Sequence, residues 1–253
     1  MPTFSEAQLL AWISPLLWPF LRALALLSAL PVLGTRSVPA RLRIALAAFI
    51  AVAAGPSLPP MPQVPLDSPQ AAELVVQQVL IGLTLGFAVR VAFAAIEFAG
   101  ELIGLQMGLN FATFFDPLSA STATTTNRFL GTLIAWLFIL QGGHLLVIGA
   151  LARSFHTFPA GQGLAEFLAA TQPASWGAEI LRTGLLLSLP LVSMLWLVNG
   201  VLGLVSRVAP QINVFAVGFP LTLSIGLVGL LMTLPALQDP FMAGLGRMLA
   251  LFQ

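Results

Sequence analysis

Long apolar stretches separated by short polar turns dominate the chain. Three of them contain no charged residue: Phe129–Ala152, Thr183–Ser206 and Val208–Gln238. Each reaches the roughly 20 residues that a helix needs to cross a hydrocarbon core of about 30 Å. The pattern predicts an all-α polytopic membrane protein with kinked and broken helices, and the whole chain, residues 1–253, is interpreted as one integral membrane domain.

Prolines and arginines divide the N-terminal part. A proline-broken segment at 7–33 is followed by an arginine-rich turn at 34–43. The apolar run Ile44–Ala54 is too short to span alone, and it leads into a loop at 55–69 that contains six prolines. The positive-inside rule places the arginine turn in the cytoplasm and the proline-rich loop outside. The first residues lack the positive region and cleavage site of a signal peptide, so the first helix is expected to remain in the mature protein.

Residues 74–113 contain no proline, and one continuous helix of that length would measure about 60 Å. Such a segment either folds back on itself or leaves the bilayer. Arg90, Glu97 and Glu101 lie within about 40° of one another around its axis. Charges on one face of an apolar helix should avoid lipid. Structural ion pairing is the favoured interpretation, and a proton or ion site and a contact with a partner subunit are the alternatives.

Glycines recur every four residues in the same segment. One pair is Gly82 and Gly86, and a longer register contains Gly100, Gly104 and Gly108. Glycines at this spacing form a groove that another helix can approach closely. The longer register is therefore a candidate helix-packing and subunit contact.

The stretch FATFFDPLSASTATTTNRF, residues 111–129, begins with large aromatic side chains and continues with small or hydroxylated ones. Its large and turn-forming residues are Phe111, Phe114, Phe115, Asp116 and Pro117. Ordinary packing would explain the phenylalanines, and a helix start would explain Asp-Pro. Neither explains the small, hydroxylated tract at 118–127, which cannot bury much apolar surface. A bulky edge joined to a pliable remainder suits a plug that fills a pore and later yields.

A polar break at 206–221 separates two hydrophobic runs. It carries Arg207, Gln211 and Asn213, which are expected to be buried in protein or to line a cavity, because lipid does not tolerate such a break.

The composition is typical of a membrane protein and argues against several classes of function. Hydrophobic residues make up 58% of the chain and charged residues 8%, against roughly 25% charged in soluble domains. A net charge of +1 offers no basic patch for nucleic acid, and the absence of cysteine excludes thiolate chemistry. His144 and His156 have no acid within one turn, and neither a nucleophile elbow nor a phosphate loop is present. The sequence predicts no enzyme, no metal site and no cofactor.

Four segments together resemble the FliR family of flagellar type III export-gate proteins, whose injectisome relatives are called SctT. They are GTRSVPARLRIALA (34–47), AGELIGLQMGLNFATFFDPLS (99–119), GGHLLVIGALARSFHTFP (142–159) and RVAPQINVFAVGFPLTL (207–223). The resemblance runs nearly end to end. One departure is Gly142-Gly143-His144, where the family often shows Asn-Gly-His.

The resemblance implies a subunit of a heteromeric helical channel, assembled with FliP-like and FliQ-like proteins from helical hairpins. FlhB-like and FlhA-like proteins would be neighbours, and unfolded flagellar proteins would be the substrates. The site would be the bacterial inner membrane at the flagellar basal body. In this family a loop closes the pore, and it corresponds to the stretch at 111–129. Hairpins that rise out of the bilayer would account for the long segment at 74–113.

Two other functions remain compatible with the residues. A small-solute transporter or ion channel would also have midplane charges and broken helices, but it should act as a homo-oligomer and usually shows repeat symmetry. A structural scaffold would keep the glycine grooves without needing a pliable loop.

Overall fold

The computed structural model describes residues 6–35, 37–109, 125–161, 164–171, 173–211 and 214–252, and these contain helices and no strand. The helices are α1 (Glu6–Ala29), α2 (Ala40–Ala54), α3 (Pro69–Gln106), α4 (Thr125–Leu140), α5 (Gly143–Thr157), α6 (Leu164–Ala170), α7 (Pro173–Val208), α8 (Val214–Thr233) and α9 (Gln238–Leu249). Short 3₁₀ turns occur at Gly55–Ser57, Leu234–Leu237 and Ala250–Phe252. The predicted all-α class is confirmed.

Within the described residues, five helical stretches are long and apolar enough to cross a membrane, or six if the pair α4 and α5 counts as one broken span. The prediction of a polytopic membrane protein is therefore confirmed. The apolar run Phe129–Ala152, however, is not one helix as predicted, because it breaks after Leu140. Gly142 has φ +71° and ψ 19° at the start of α5. Glycine adopts this left-handed conformation without a steric penalty, and asparagine is the other residue that tolerates it well.

The start of α2 also differs from the prediction. The helix begins at Ala40 and includes Arg41, so an apolar stretch of 18 residues, Ala40–Ser57, is long enough to span. The prediction of a run too short to cross was wrong because it counted only residues after the arginines. Arginine is a good helix former and can extend its charged head to the membrane surface from within a span.

α3 is continuous over 38 residues and about 57 Å long at 1.5 Å per residue. The alternative in which this segment folds back is therefore wrong for Pro69–Gln106. Tilting within a 30 Å hydrocarbon core does not accommodate that length, so part of α3 extends beyond the hydrocarbon. It is also the most buried of the five candidate spans, because 61% of the stretch Pro69–Gln106 is buried inside the chain.

The described helices form two compact units. The first comprises residues 1–91, 142–176 and 245–253. In it α1 packs on α3 at Gly82 and Gly86, and a Cβ on Gly86 would lie 2.5 Å from that of Ala29. The two glycines therefore mark a close helix contact within the chain. Phe158 packs edge to face against Phe167 and Phe252, with ring centroids 5.2 and 6.2 Å apart.

The second unit comprises residues 92–141 and 177–244. Its core includes Phe93, which meets Phe138 and Phe241 at centroid distances of 5.5 and 5.3 Å. α7 approaches α3 at Gly184, where a Cβ would lie 2.7 Å from the carbonyl oxygen of Ala95. This unit holds both ends of the segment at 110–124.

Candidate functional site

The residues predicted to form a plug lie outside the described part of the chain. Phe111, Phe114, Phe115, Asp116 and Pro117 fall within 110–124, and Asn213 falls within 212–213. The structure does describe the end of α3, where the 110–124 segment begins, and the start of α4, where it ends.

α3 ends in a Schellman motif, the hydrogen-bonded turn that commonly terminates helices at glycine. Gly108 has φ +80°, and its N–H donates to the carbonyl of Leu105 at 3.2 Å. The N–H of Leu109 donates to the carbonyl of Gly104 at 3.1 Å. Gly108 is thus a helix cap that redirects the chain, and the helical glycine register predicted through it stops at Gly104.

Helices α7 and α8 hold this helix end in place. Met107 is fully buried, and a Cβ on Gly226 would lie 2.8 Å from its sulfur. The side-chain amide of Asn199 donates to the carbonyl of Gln106 at 3.3 Å. The Thr222 hydroxyl lies 3.4 Å from the Met107 carbonyl oxygen. The chain therefore enters the 110–124 segment from a packed and hydrogen-bonded position.

The start of α4 packs against α3 at Gly100. A Cβ there would lie 3.0 Å from Leu130 Cδ1 and 3.3 Å from Asn127 Cα. The Asn127 amide also donates a long hydrogen bond, 3.5 Å, to the Glu101 carboxylate. Gly100 therefore serves a contact within the chain, while a subunit contact at Gly104, which is buried here, stays a prediction.

The predicted charged face is partly enclosed. Glu97 and Glu101 are half-buried and Arg90 is exposed. A Cβ on Gly131 would lie 3.5 Å from Oε1 of Glu97, an ordinary van der Waals distance, so that carboxylate lies against α4 at this glycine. Both carboxylates thus lie at the contact between α3 and α4, and structural ion pairing with Arg90 stays a prediction.

The polar break separates α7 from α8, since α7 ends at Val208 and α8 begins at Val214. Arg207 and Gln211 are exposed in the single chain. Their predicted burial therefore requires something other than the described residues to cover them.

One buried polar site was missed by the sequence interpretation. Arg22, in the middle of α1, is fully buried and donates from Nε to Gln78 Oε1 at 2.8 Å. Its Nη1 donates to the carbonyl and the hydroxyl of Ser154 at 2.8 and 3.0 Å, and its Nη2 to the carbonyl of Phe158 at 2.9 Å. A lone arginine inside an apolar proline-containing helix was the available signal, but nothing local indicated its partners.

The described histidines and acids do not form a metal-binding group. Among the described residues, no group of three or more histidine, aspartate or glutamate side chains is arranged to hold an ion. His156 Nε2 lies 3.3 Å from the Ser57 carbonyl oxygen, which ties the end of α5 to the proline-rich loop.

Comparison with known proteins gives the family. The sequence model for bacterial export proteins, family 1, matches residues 13–248. The chain is 46% identical over 240 residues to the flagellar biosynthetic protein FliR of Escherichia coli (strain K12), covering 94% of this chain and 90% of that protein. It is 44% identical to FliR of Pectobacterium carotovorum over 95% of this chain and 92% of that protein. With FliR of Bacillus subtilis (strain 168) the identity is 30%, over 84% and 83% of the two chains. The chain therefore belongs to the FliR family of flagellar export proteins.

Proposed function

We propose that this chain, a subunit of the flagellar protein export apparatus, helps to form and to close the channel that carries unfolded flagellar proteins across the inner membrane. The observation that supports closure is the fixing of both ends of the 110–124 segment. Met107 is locked against Gly226 at one end, and the residues around Asn127 pack on Gly100 at the other.

Fixed ends suit a movable plug. A plug must return to the same place after each opening, so its supports should not unfold when it moves. The bulky residues from Phe111 to Phe115 would exclude water and ions, because hydrophobic constrictions dewet. Residues 125–127 of the predicted tract belong to α4, and the remaining small residues at 118–124 would supply the slack between the phenylalanines and α4.

The exposed surface supports an assembly with other membrane proteins. Only 17% of the apolar stretch Leu164–Val208, which spans α6 and α7, is buried within the chain. Arg207 near its end and Gln211 just after it are exposed. Polar residues at this position are better covered by protein than by lipid. FliP-like and FliQ-like subunits are the proposed partners, and FlhB-like and FlhA-like proteins the proposed neighbours. The chain's own role is structural rather than catalytic.

Purification from membranes tests the assembly. The chain should be recovered in a stable heteromer with FliP-like and FliQ-like proteins when all three are expressed together. Recovery as a homo-oligomer that conducts a small solute or ion without those partners would support the transporter instead and contradict the export-gate assignment.

A further inference from the structure

The buried guanidinium of Arg22 is balanced entirely by neutral groups. Its four hydrogen bonds to described residues end on the Gln78 amide, on the carbonyl and hydroxyl of Ser154, and on the Phe158 carbonyl. The guanidinium carbon also lies 3.7 Å from the centroid of the Phe155 ring. Among the described residues, no carboxylate pairs with this charge.

Most of this compensation comes from the C-terminal end of α5. Ser154 is in the last turn of α5, and Phe158 is its C-cap residue. Carbonyls at a helix C-terminus carry partial negative charge, so a cation there is favourable even though the Ser154 carbonyl also accepts the Phe158 N–H at 2.9 Å. Arg22 therefore caps α5 from another helix.

The register of α1 on α3 makes this cap possible. A Cβ on Gly82 would collide with the carbonyl oxygen of Arg22 and would lie 2.8 Å from the Cβ of Ala25. The two helices meet so closely that Arg22 and Gln78 are brought within hydrogen-bonding distance. α3 supplies one acceptor, Gln78, and the end of α5 supplies the other three, which belong to Ser154 and Phe158.

The hydrogen-bond partners of Arg22 are synthesised after it in a fixed order. Gln78 follows it by 56 residues, whereas Ser154 and Phe158 follow it by 132 and 136. Until α5 arrives, Arg22 in α1 has at most one of its four hydrogen bonds, and a poorly compensated charge within a membrane span is costly. We infer that Arg22 is a folding interlock: its charge keeps α1 from settling fully in the membrane until the end of α5 encloses the guanidinium.

The test uses the full chain, which contains no cysteine, so that one introduced cysteine reports alone. Leu24→Cys places a thiol within the α1 span, where a water-soluble maleimide should react slowly once α1 is in place. This reporter chain is then compared with versions that also carry Arg22→Lys or Arg22→Met.

The two variants separate charge from hydrogen bonding. Lysine keeps the charge but lacks the planar fork that reaches all four acceptors, whereas methionine removes the charge and keeps comparable length. The interlock predicts labelling raised about tenfold by Arg22→Lys and little changed by Arg22→Met, since only the first leaves a poorly compensated charge in the span. Equal labelling of the two variants, or more labelling with methionine, would overturn it.

A rescue experiment tests the same inference from the acceptor side. Gln78→Leu combined with Ser154→Ala removes both side-chain acceptors and should raise the labelling of the chain that carries the Leu24→Cys reporter. Adding Arg22→Met should return labelling to near the parent rate, because no charge remains to be compensated. If Arg22→Met fails to suppress the double substitution, the acceptors serve packing alone and the interlock is wrong.

Discussion

The thioether of Met107 packs directly over Gly226, so that a Cβ on residue 226 would lie 2.8 Å from the sulfur. Met107 is the last residue before the glycine cap of α3, and the 110–124 segment begins three residues later. Because Gly226 in α8 has no side chain, Met107 can pack there, and this contact positions the start of the proposed plug.

Gly226→Leu should weaken this anchor. The added side chain must displace Met107, and overpacking of a filled core costs about 1–3 kcal/mol. We expect the free energy of unfolding in detergent to fall by that amount. The matched control is Gly149→Leu, because nothing lies within 4 Å of a Cβ at Gly149. Equal effects of the two substitutions would mean that the Met107 contact does not matter for stability.

Gly142 should accept asparagine far better than valine. Its φ of +71° is in the left-handed region, which costs L-residues about 1–2 kcal/mol and β-branched residues more. Gly142→Asn should leave the thermal unfolding temperature nearly unchanged, whereas Gly142→Val should lower it. Equal tolerance of both residues would show that the break between α4 and α5 does not depend on this conformation.

Gly100→Leu should lower the stability of the single chain, independently of its assembly with partners. Leu130 and Asn127 lie 3.0 and 3.3 Å from a Cβ at Gly100, and Asn127 contributes a backbone atom that cannot move aside easily. We therefore expect lower stability of the chain purified alone. A variant that is stable alone but fails to join its partners would instead make Gly100 a subunit contact.

Glu97→Gln distinguishes ion pairing from proton handling. If Glu97 forms a structural pair in the assembled complex, its neutralisation should lower the thermal stability of that complex. Complete loss of a buried pair costs about 3–5 kcal/mol, and the half-buried position of Glu97 makes a smaller loss reasonable. A proton relay predicts intact assembly with lost export, and that result would reject the structural interpretation.

Several elements could be predicted because their causes are local. The absence of proline left two alternatives for residues 74–113, and the continuous helix α3 is the one found. Glycines four residues apart were expected to let another helix approach closely, and α1 does so at Gly82 and Gly86. Gly142 escaped prediction because hydropathy does not report a positive φ. Gly108 was placed in a helical register although it caps the helix, since the four-residue spacing continues past the helix end.

The Arg22 site could not be predicted for a different reason. Its acceptors are 56 to 136 residues away, so no local pattern identifies them. The charged residue was visible in the sequence, but its compensation is created only by packing α1, α3 and α5 together. Conversely, Arg207 and Gln211 were expected to be buried in protein or to line a cavity. Both are exposed in the single chain, so their burial by a partner stays a prediction.

The length of the tract at 118–124, the part of the small tract that precedes α4, should control gating rather than assembly. Its residues offer little apolar surface, so shortening it while keeping the three phenylalanines should leave the complex intact. We expect normal recovery with the partners and altered export of flagellar proteins. Loss of the complex itself would show that this tract packs against a partner.

Electrical conductance of the reconstituted complex tests the central claim most directly. The complex that carries Phe111→Ala, Phe114→Ala and Phe115→Ala is compared with the parent in planar bilayers at equal protein density. If these side chains close the pore by excluding water, the triple variant should conduct ions while the parent stays closed. A triple variant as tight as the parent would contradict the account and make the phenylalanines packing residues.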